Sequence, residues 1–207
     1  MIGVRLRRAA RRGYTIVELV MSLAVLAIGA SGVIAMQKVA VSSNRHAKDL
    51  ALAARIAEGW ADQLAIDGST WTLTQTGAPT LPNTTWIKLA TPGTTVDWFV
   101  PDYSALRNFG PGFGALGAPI DPNVSPSLIR FCTHLRFAYL HNTTGGNGVI
   151  RAQIRVFWPA ENATTSLPAT ARANLCAVTD AILGPNLGAF HVVYLTTSIA
   201  QAPAGLL

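Results

Sequence analysis

Gly13, Tyr14, Thr15, Ile16, Val17 and Glu18 are the residues of this 207-residue chain whose types and order point to chemistry. Five arginines (Arg5, Arg7, Arg8, Arg11 and Arg12) precede them, and residues 19–37 follow without a charged side chain. A secretory signal carries its small-residue cleavage site after the apolar core. Here the small residue stands before the core, so cutting at Gly13 removes the basic leader and keeps the hydrophobic helix. Glu18 is the second anomaly. A carboxylate at the bilayer centre costs about 2.5–3.5 kcal/mol and is usually retained for pairing or transport, so Glu18 requires a partner.

Elsewhere the chemistry is sparse. Cys132 and Cys176 are the two cysteines. In an exported head an even pair forms a disulfide, and two buried thiols acting as small core residues are the alternative. Two cysteines do not make a four-ligand zinc site, and no histidine spacing completes one. His46 falls on a helical stretch and His134, His141 and His191 on or near strands, without the converging partners that catalysis needs. No nucleophile elbow, zinc-protease motif or calcium loop occurs, and Asp97, Asp102 and Asp121 lack calcium-loop spacing. Asn83, Asn142 and Asn162 begin N-x-T sequons and read as turn residues. Gly110, Gly112 and Gly114 do not follow a strand and open a helix, as a phosphate-cradling loop would. No cofactor, metal or enzymatic activity is expected.

The order basic leader, Gly13, aromatic Tyr14, Thr15, two aliphatics, Glu18 resembles the class III signal of the type IV pilins and type II secretion pseudopilins. The resemblance implies that a prepilin peptidase cuts between Gly13 and Tyr14 and that Tyr14 is N-methylated. It also implies that Glu18, the fifth mature residue, pairs with the terminal amine of a neighbouring subunit in a filament. Tyr14 stands where phenylalanine is commoner, and Ala35 where many major pilins have a helix-kinking proline. The run Ala27, Ile28, Gly29, Ala30, Ser31, Gly32, Val33, Ile34, Ala35, Met36, Gln37 is most similar to PilV-type minor pilins and, less closely, to GspI-type minor pseudopilins. On this resemblance the chain is expected to act as a minor pilin that initiates, primes or decorates pilus assembly. A secretion pseudopilin, or a tip subunit for adhesion or DNA capture, is the alternative. The implied partners are the peptidase and other major and minor pilins. The implied location is the bacterial inner membrane, as a single pass with a periplasmic head, and then the pilus surface.

The elements that must position these residues follow from pattern. About 20 apolar residues cross a bilayer, and arginines on the N-terminal side hold that end in the cytoplasm. The absence of proline over residues 14–64, with Leu50, Ala54, Ala57, Ala61 and Leu64 at helical spacing, predicts one continuous helix, stopped at Asp67, Gly68 and Ser69. The expected organisation is a leader at 1–13, a helix at 14–66 with its membrane or filament core in 14–37, and a β-rich head at 67–207. Formal charge +6 minus the leader's five arginines leaves +1. The remaining cations are scattered in sequence, which points away from nucleic acid.

Within the head, residues 84–90 and 95–100 read as a hairpin around a Thr91, Pro92, Gly93 turn. Residues 101–127 read as a long loop with Phe109 and Phe113 tucked inward. Phe131, Thr133, Leu135, Phe137 and Tyr139 alternate with Cys132, His134 and Arg136. In the next run Ile150, Ala152, Ile154, Val156 and Trp158 share one face, and Arg151, Gln153 and Arg155 the other. This predicts an antiparallel pair with one face on a core covered by the helix. A short helix at 169–173, a last strand at 190–198 and a loose tail at 202–207 complete the reading. The five tryptophans are assigned to packing. The fold class is α+β and pilin-like.

Overall fold

The computed structural model describes residues 13–72, 81–90, 95–141, 148–160 and 167–202. Arg5 to Arg12, the Thr91 to Gly93 turn, Asn142, Asn162 and the tail beyond Ala202 lie outside the described residues. The chain divides into two compact units, Met1–Lys48 and Asp49–Leu207. The first unit is helical from Ile16 onward, belonging to α1 (Ile16–Ser69). Its apolar side chains are uncovered all round, as with Ile16, Val25, Ile28 and Met36. An 18-residue window of mean hydropathy 2.3 makes α1 long and apolar enough to cross a membrane.

In the second unit the last turns of α1 pack on an antiparallel sheet of order β2-β1-β3-β4-β5. The strands are β1 (Gly112–Phe113), β2 (Pro119–Ile120), β3 (Phe131–His141), β4 (Val149–Pro159) and β5 (Phe190–Ala200). The alternation read in β4 holds: Ile150, Ala152, Ile154, Val156 and Trp158 are all buried against the helix. They meet Ala53, Ile56, Ala57, Trp60 and Leu64 of α1 in the main core. The helical stripe is therefore rotated from the sequence reading. Leu50 is exposed, because Trp60 is the large side chain that reaches the sheet and so sets which face turns inward.

Two further expectations fail. Residues 84–90 form no strand but a 3-10 turn at Ile87–Leu89, while Thr95 and Phe99 bridge to β3 directly. The presumed loop 101–127 contains β1 and β2, with Phe113 buried and Phe109 packed on the core. Asp67 explains the first failure. It lies in the final turn of the helix, which ends at Ser69 within the expected Asp67, Gly68, Ser69 stop, and it is fully buried. Its carboxylate accepts the backbone N–H of Thr85 (2.7 Å), Trp86 (2.7 Å) and Ile87 (3.0 Å), which bends that segment around the helix end. Arg107 adds an ion pair at 3.2 Å, and its guanidinium lies 5.1 Å from the centre of the Trp86 ring. A tight turn closed by the Ser104–Phe109 bridge presents Arg107, with Asn108 at φ 46°, a left-handed conformation that asparagine tolerates. Gly68 is needed beside it, because a Cβ there would collide with Ile199 of β5.

The outer sheet face is not wholly polar, as Arg151, Gln153 and Arg155 had suggested. At one end it is covered by a second core of Cys132, Phe157, Leu167, Ala171, Leu175, Cys176, Val178, Leu183 and Phe190. Two short helices supply part of that cover: the expected α2 (Ala169–Ala173), and α3 (Asp180–Leu183), which the sequence did not suggest. At its margin Arg155 is buried, donating to Asp180 (2.7 Å) and to Nδ1 of His134 (2.6 Å) beneath the Trp98 ring (4.3 Å). Burial, and then the adjacent guanidinium, hold the His134 imidazole down at about 3 from its ordinary 6.5. The Val178 backbone and Asp180 act in the opposite direction.

Removing the Asp67 carboxylate strips three backbone N–H groups, two of them buried, and Arg107 of their acceptor. Asp67→Ala should destabilise the head by about 3–5 kcal/mol. Arg107→Ala should cost less, since Arg107 is partly exposed and the three N–H bonds remain. Denaturant melts of the detergent-solubilised chain test this, and equal losses for the two variants would contradict it. The second expectation concerns acid. Because the folded pKa of His134 lies below the unfolded one, the unfolded chain takes up a proton that the folded chain refuses. The stability contribution is complete above about pH 6.5 and is lost as pH falls toward about 3. Melting temperature should therefore fall between pH 7 and pH 4, and His134→Gln, which keeps an acceptor for Arg155, should flatten that slope.

Candidate functional site

The candidate site is the junction at the head of α1. Residues 13–15 are non-helical and the helix starts at Ile16, so the Gly13–Tyr14 peptide bond lies outside the hydrogen-bonded ladder. Gly13 has no neighbouring atom where a Cβ would project, and Tyr14 is 84% exposed. Thr15 begins the helix. Its Oγ1 accepts the N–H of Glu18 (3.3 Å) and its carbonyl accepts the N–H of Leu19 (3.2 Å). Thr15, Ile16, Val17, Glu18 thus has the T-x-x-E order of a capping box. That signal was legible in the sequence but was missed there, overshadowed by the cleavage pattern of the same residues.

The cap places Glu18 in the first turn, where the exposed N–H groups and the helix dipole favour a negative charge. Glu18 is exposed, and among the described residues it makes no ion pair. The next polar groups are satisfied within the helix: Ser22 donates to the Glu18 carbonyl and Ser31 to that of Ile28, each at 2.8 Å. Glu18 is then the one ionic side chain from the helix start to Gln37. Gly29 and Gly32 also face open space, so the helix is narrow there and a neighbouring chain can approach closely.

The remaining residues singled out in the sequence lie elsewhere. Cys132 of β3 and Cys176 form a disulfide with 5.4 Å between their Cα atoms, inside the second core. His134 is engaged by Arg155, and His191 packs on Trp158 with ring centres 5.4 Å apart. Asp97, Asp102 and Asp121 do not converge with other ligating groups, and among the described residues no cluster of three or more His, Cys, Asp or Glu is placed to hold a metal ion. Trp60, Trp71, Trp86 and Trp158 are buried, and Trp98 lies over Arg155.

Residues 8–34 match the family model for the prokaryotic N-terminal methylation motif, a span that takes in Arg8, Arg11, Arg12, Gly13, Tyr14 and the first part of the apolar helix. No curated protein and no solved structure matches the chain. A methylation motif of this kind implies processing by a prepilin peptidase and assembly with other pilins. That motif heads an apolar helix which an antiparallel sheet follows in the chain, an α+β pilin-like architecture, and it supports a type IV pilin-like protein.

Proposed function

We propose that this chain is a minor type IV pilin of the PilV type, a low-copy subunit that initiates, primes or decorates a pilus. The observation that carries the reading is the junction itself, an accessible Gly13–Tyr14 bond one residue before a capped helix that opens with a single carboxylate. Residues 1–13 are the leader, residues 14–66 the helix and residues 67–207 the head. The peptidase cuts after Gly13 and the new amine of Tyr14 is methylated. Before assembly the helix anchors the chain in the inner membrane with the head in the periplasm, and after assembly the head lies on the pilus. The glycine pattern from Ala27 to Gln37 supports the PilV assignment, since Gly29 and Gly32 give a slim helix suited to a crowded filament core.

Glu18 has two conceivable uses, and energetics separate them. A helix that only anchors the head gains from losing a buried carboxylate. In a filament core, the carboxylate compensates the terminal amine of a neighbouring subunit, and deleting one partner of such a buried pair costs about 3–5 kcal/mol. Assembly is the reading under which Glu18 earns its place.

Mass spectrometry of the N-terminal peptide should find a chain beginning at methylated Tyr14. An intact leader, or cleavage after Ala30, would remove the basis of the proposal. A bulky replacement such as Gly13→Phe should block processing. Glu18→Val should still insert and be cleaved, yet fall several-fold in sheared filaments relative to membranes. Normal incorporation of that variant would refute the pairing role.

A further inference from the structure

The apolar half of α1 is bracketed by cations, and one bracket alone survives the proposed cleavage. Residues 19–37 span about 28 Å at about 1.5 Å per residue, close to the roughly 30 Å hydrocarbon layer of a bilayer. Lys38 therefore stands at the far edge of that layer. Arg45 follows two turns later on nearly the same face, about 10 Å further along, and Lys48 is its neighbour three residues on. All three are exposed. Cβ atoms on a helix tilt toward its N-terminus, so these long side chains lean back toward the apolar half, laying their stems on apolar surface and their charges in the polar layer. Residues 19–48 contain no aspartate or glutamate. Asp49, the next carboxylate, is bound to Arg130 at 2.7 Å, and among the described residues no carboxylate pairs with Lys38, Arg45 or Lys48. Beside Lys38 the helix surface is a shallow hollow, where the small side chains of Ala35, Ser42 and Ser43 let a bulky headgroup approach.

In the membrane-anchored reading proposed above, on which this inference rests, the uncleaved chain keeps Arg5, Arg7, Arg8, Arg11 and Arg12 on the cytoplasmic side. Cleavage after Gly13 removes all five. The Lys and Arg side chains left in residues 14–48 then stand only on the opposite side, so the sign of the charge asymmetry across the bilayer reverses. We propose that Lys38, Arg45 and Lys48 form a collar that binds the phosphates of anionic phospholipids in the leaflet facing the head, and that this collar holds the processed subunit in the membrane until assembly. Charge complementarity selects the occupant: three cations without acidic neighbours, starting at headgroup depth, match an anionic lipid surface. A cation near such a surface strengthens association by up to about fivefold, and the effect decays over a Debye length of about 8–10 Å. Lys38 and Arg45 therefore contribute more than Lys48. Acidic side chains of a neighbouring subunit would meet these cations only after the helix has left the bilayer.

The test uses the full chain in phosphatidylcholine vesicles, with the five leader arginines changed to glutamine so that the leader attracts no anionic lipid of its own. Spin-labelled phosphatidylglycerol and spin-labelled phosphatidylcholine report, from the motionally restricted fraction of each, how strongly each lipid associates with the helix. Phosphatidylglycerol should associate about tenfold more strongly, and the ratio should fall toward one at about 1 M salt, where the Debye length is about 3 Å. Lys38→Gln and Arg45→Gln should each lower the ratio about threefold. Adding Lys48→Gln to both should bring it to one, whereas Lys38→Arg combined with Arg45→Lys should retain it. Glutamine is a good helix former, so these exposed substitutions leave the anchor itself intact. A ratio of one in the parent chain overturns the proposal, as does selectivity that the triple variant keeps. Loss of the triple variant from sheared filaments without any change in lipid selectivity also overturns it, by assigning the cations to a neighbouring subunit's carboxylates. Flotation separates this inference from the reading beneath it: a chain that floats with the vesicles but shows no selectivity refutes the collar alone, and one that does not float refutes the anchor as well.

Discussion

The head depends on one buried carboxylate. Asp67 stands at the end of a long helix, where backbone carbonyls need caps and a negative charge gains nothing from the dipole. It is nevertheless fully buried there, because four donors converge on it from two other segments. Through those bonds residues 85–87 wrap the helix end, Trp86 is set against Trp60 and Phe109, and the turn carrying Arg107 is drawn over them. Gly68 next to Asp67 lets β5 close on the same turn. The last helical turn is therefore both an end and a hub.

The same helix serves two unlike environments with one backbone geometry. Up to Gln37 its side chains are apolar on every side, and hydroxyls such as Ser22 and Ser31 spend their donors on the preceding turn. From Ala53 the apolar residues narrow to a stripe that includes Trp60, and the sheet covers it. A helix satisfies its own backbone in lipid, in a filament core or on a sheet, so only side-chain distribution has to change. Glu18 is the exception within the apolar half, at the end where the dipole welcomes it.

The sheet is similarly two-sided. Its inner face is mostly apolar, with Thr133 buried among the hydrophobic side chains, whereas its outer face passes from a second core around the Cys132–Cys176 disulfide, through the His134, Arg155 and Asp180 group, to an open row with Arg136 and Arg151. The middle group is the transition. A buried arginine next to an imidazole that its surroundings hold neutral joins the apolar end to the polar one, since a second cation beside that guanidinium would be costly.

Sequence by itself determined the features that depend on neighbours a few residues apart. The methylation motif over residues 8–34, the apolar helix, the alternation in β4 and the five-residue α2 are all local periodicities or local motifs, and each was legible. The T-x-x-E cap at Thr15 was equally local. What tertiary structure alone decided concerns groups paired across tens of residues. Asp67 read as no more than part of the helix stop, because its partners lie 18 to 40 positions away. Arg155 read as a solvent-facing strand residue because the covering segment with Asp180 lies 25 positions on. The strands β1 and β2 were hidden because two-residue strands carry no periodicity, and they exist only where β3 offers an edge. Periodicity reports how a chain bends, but not which distant donor will satisfy a buried charge.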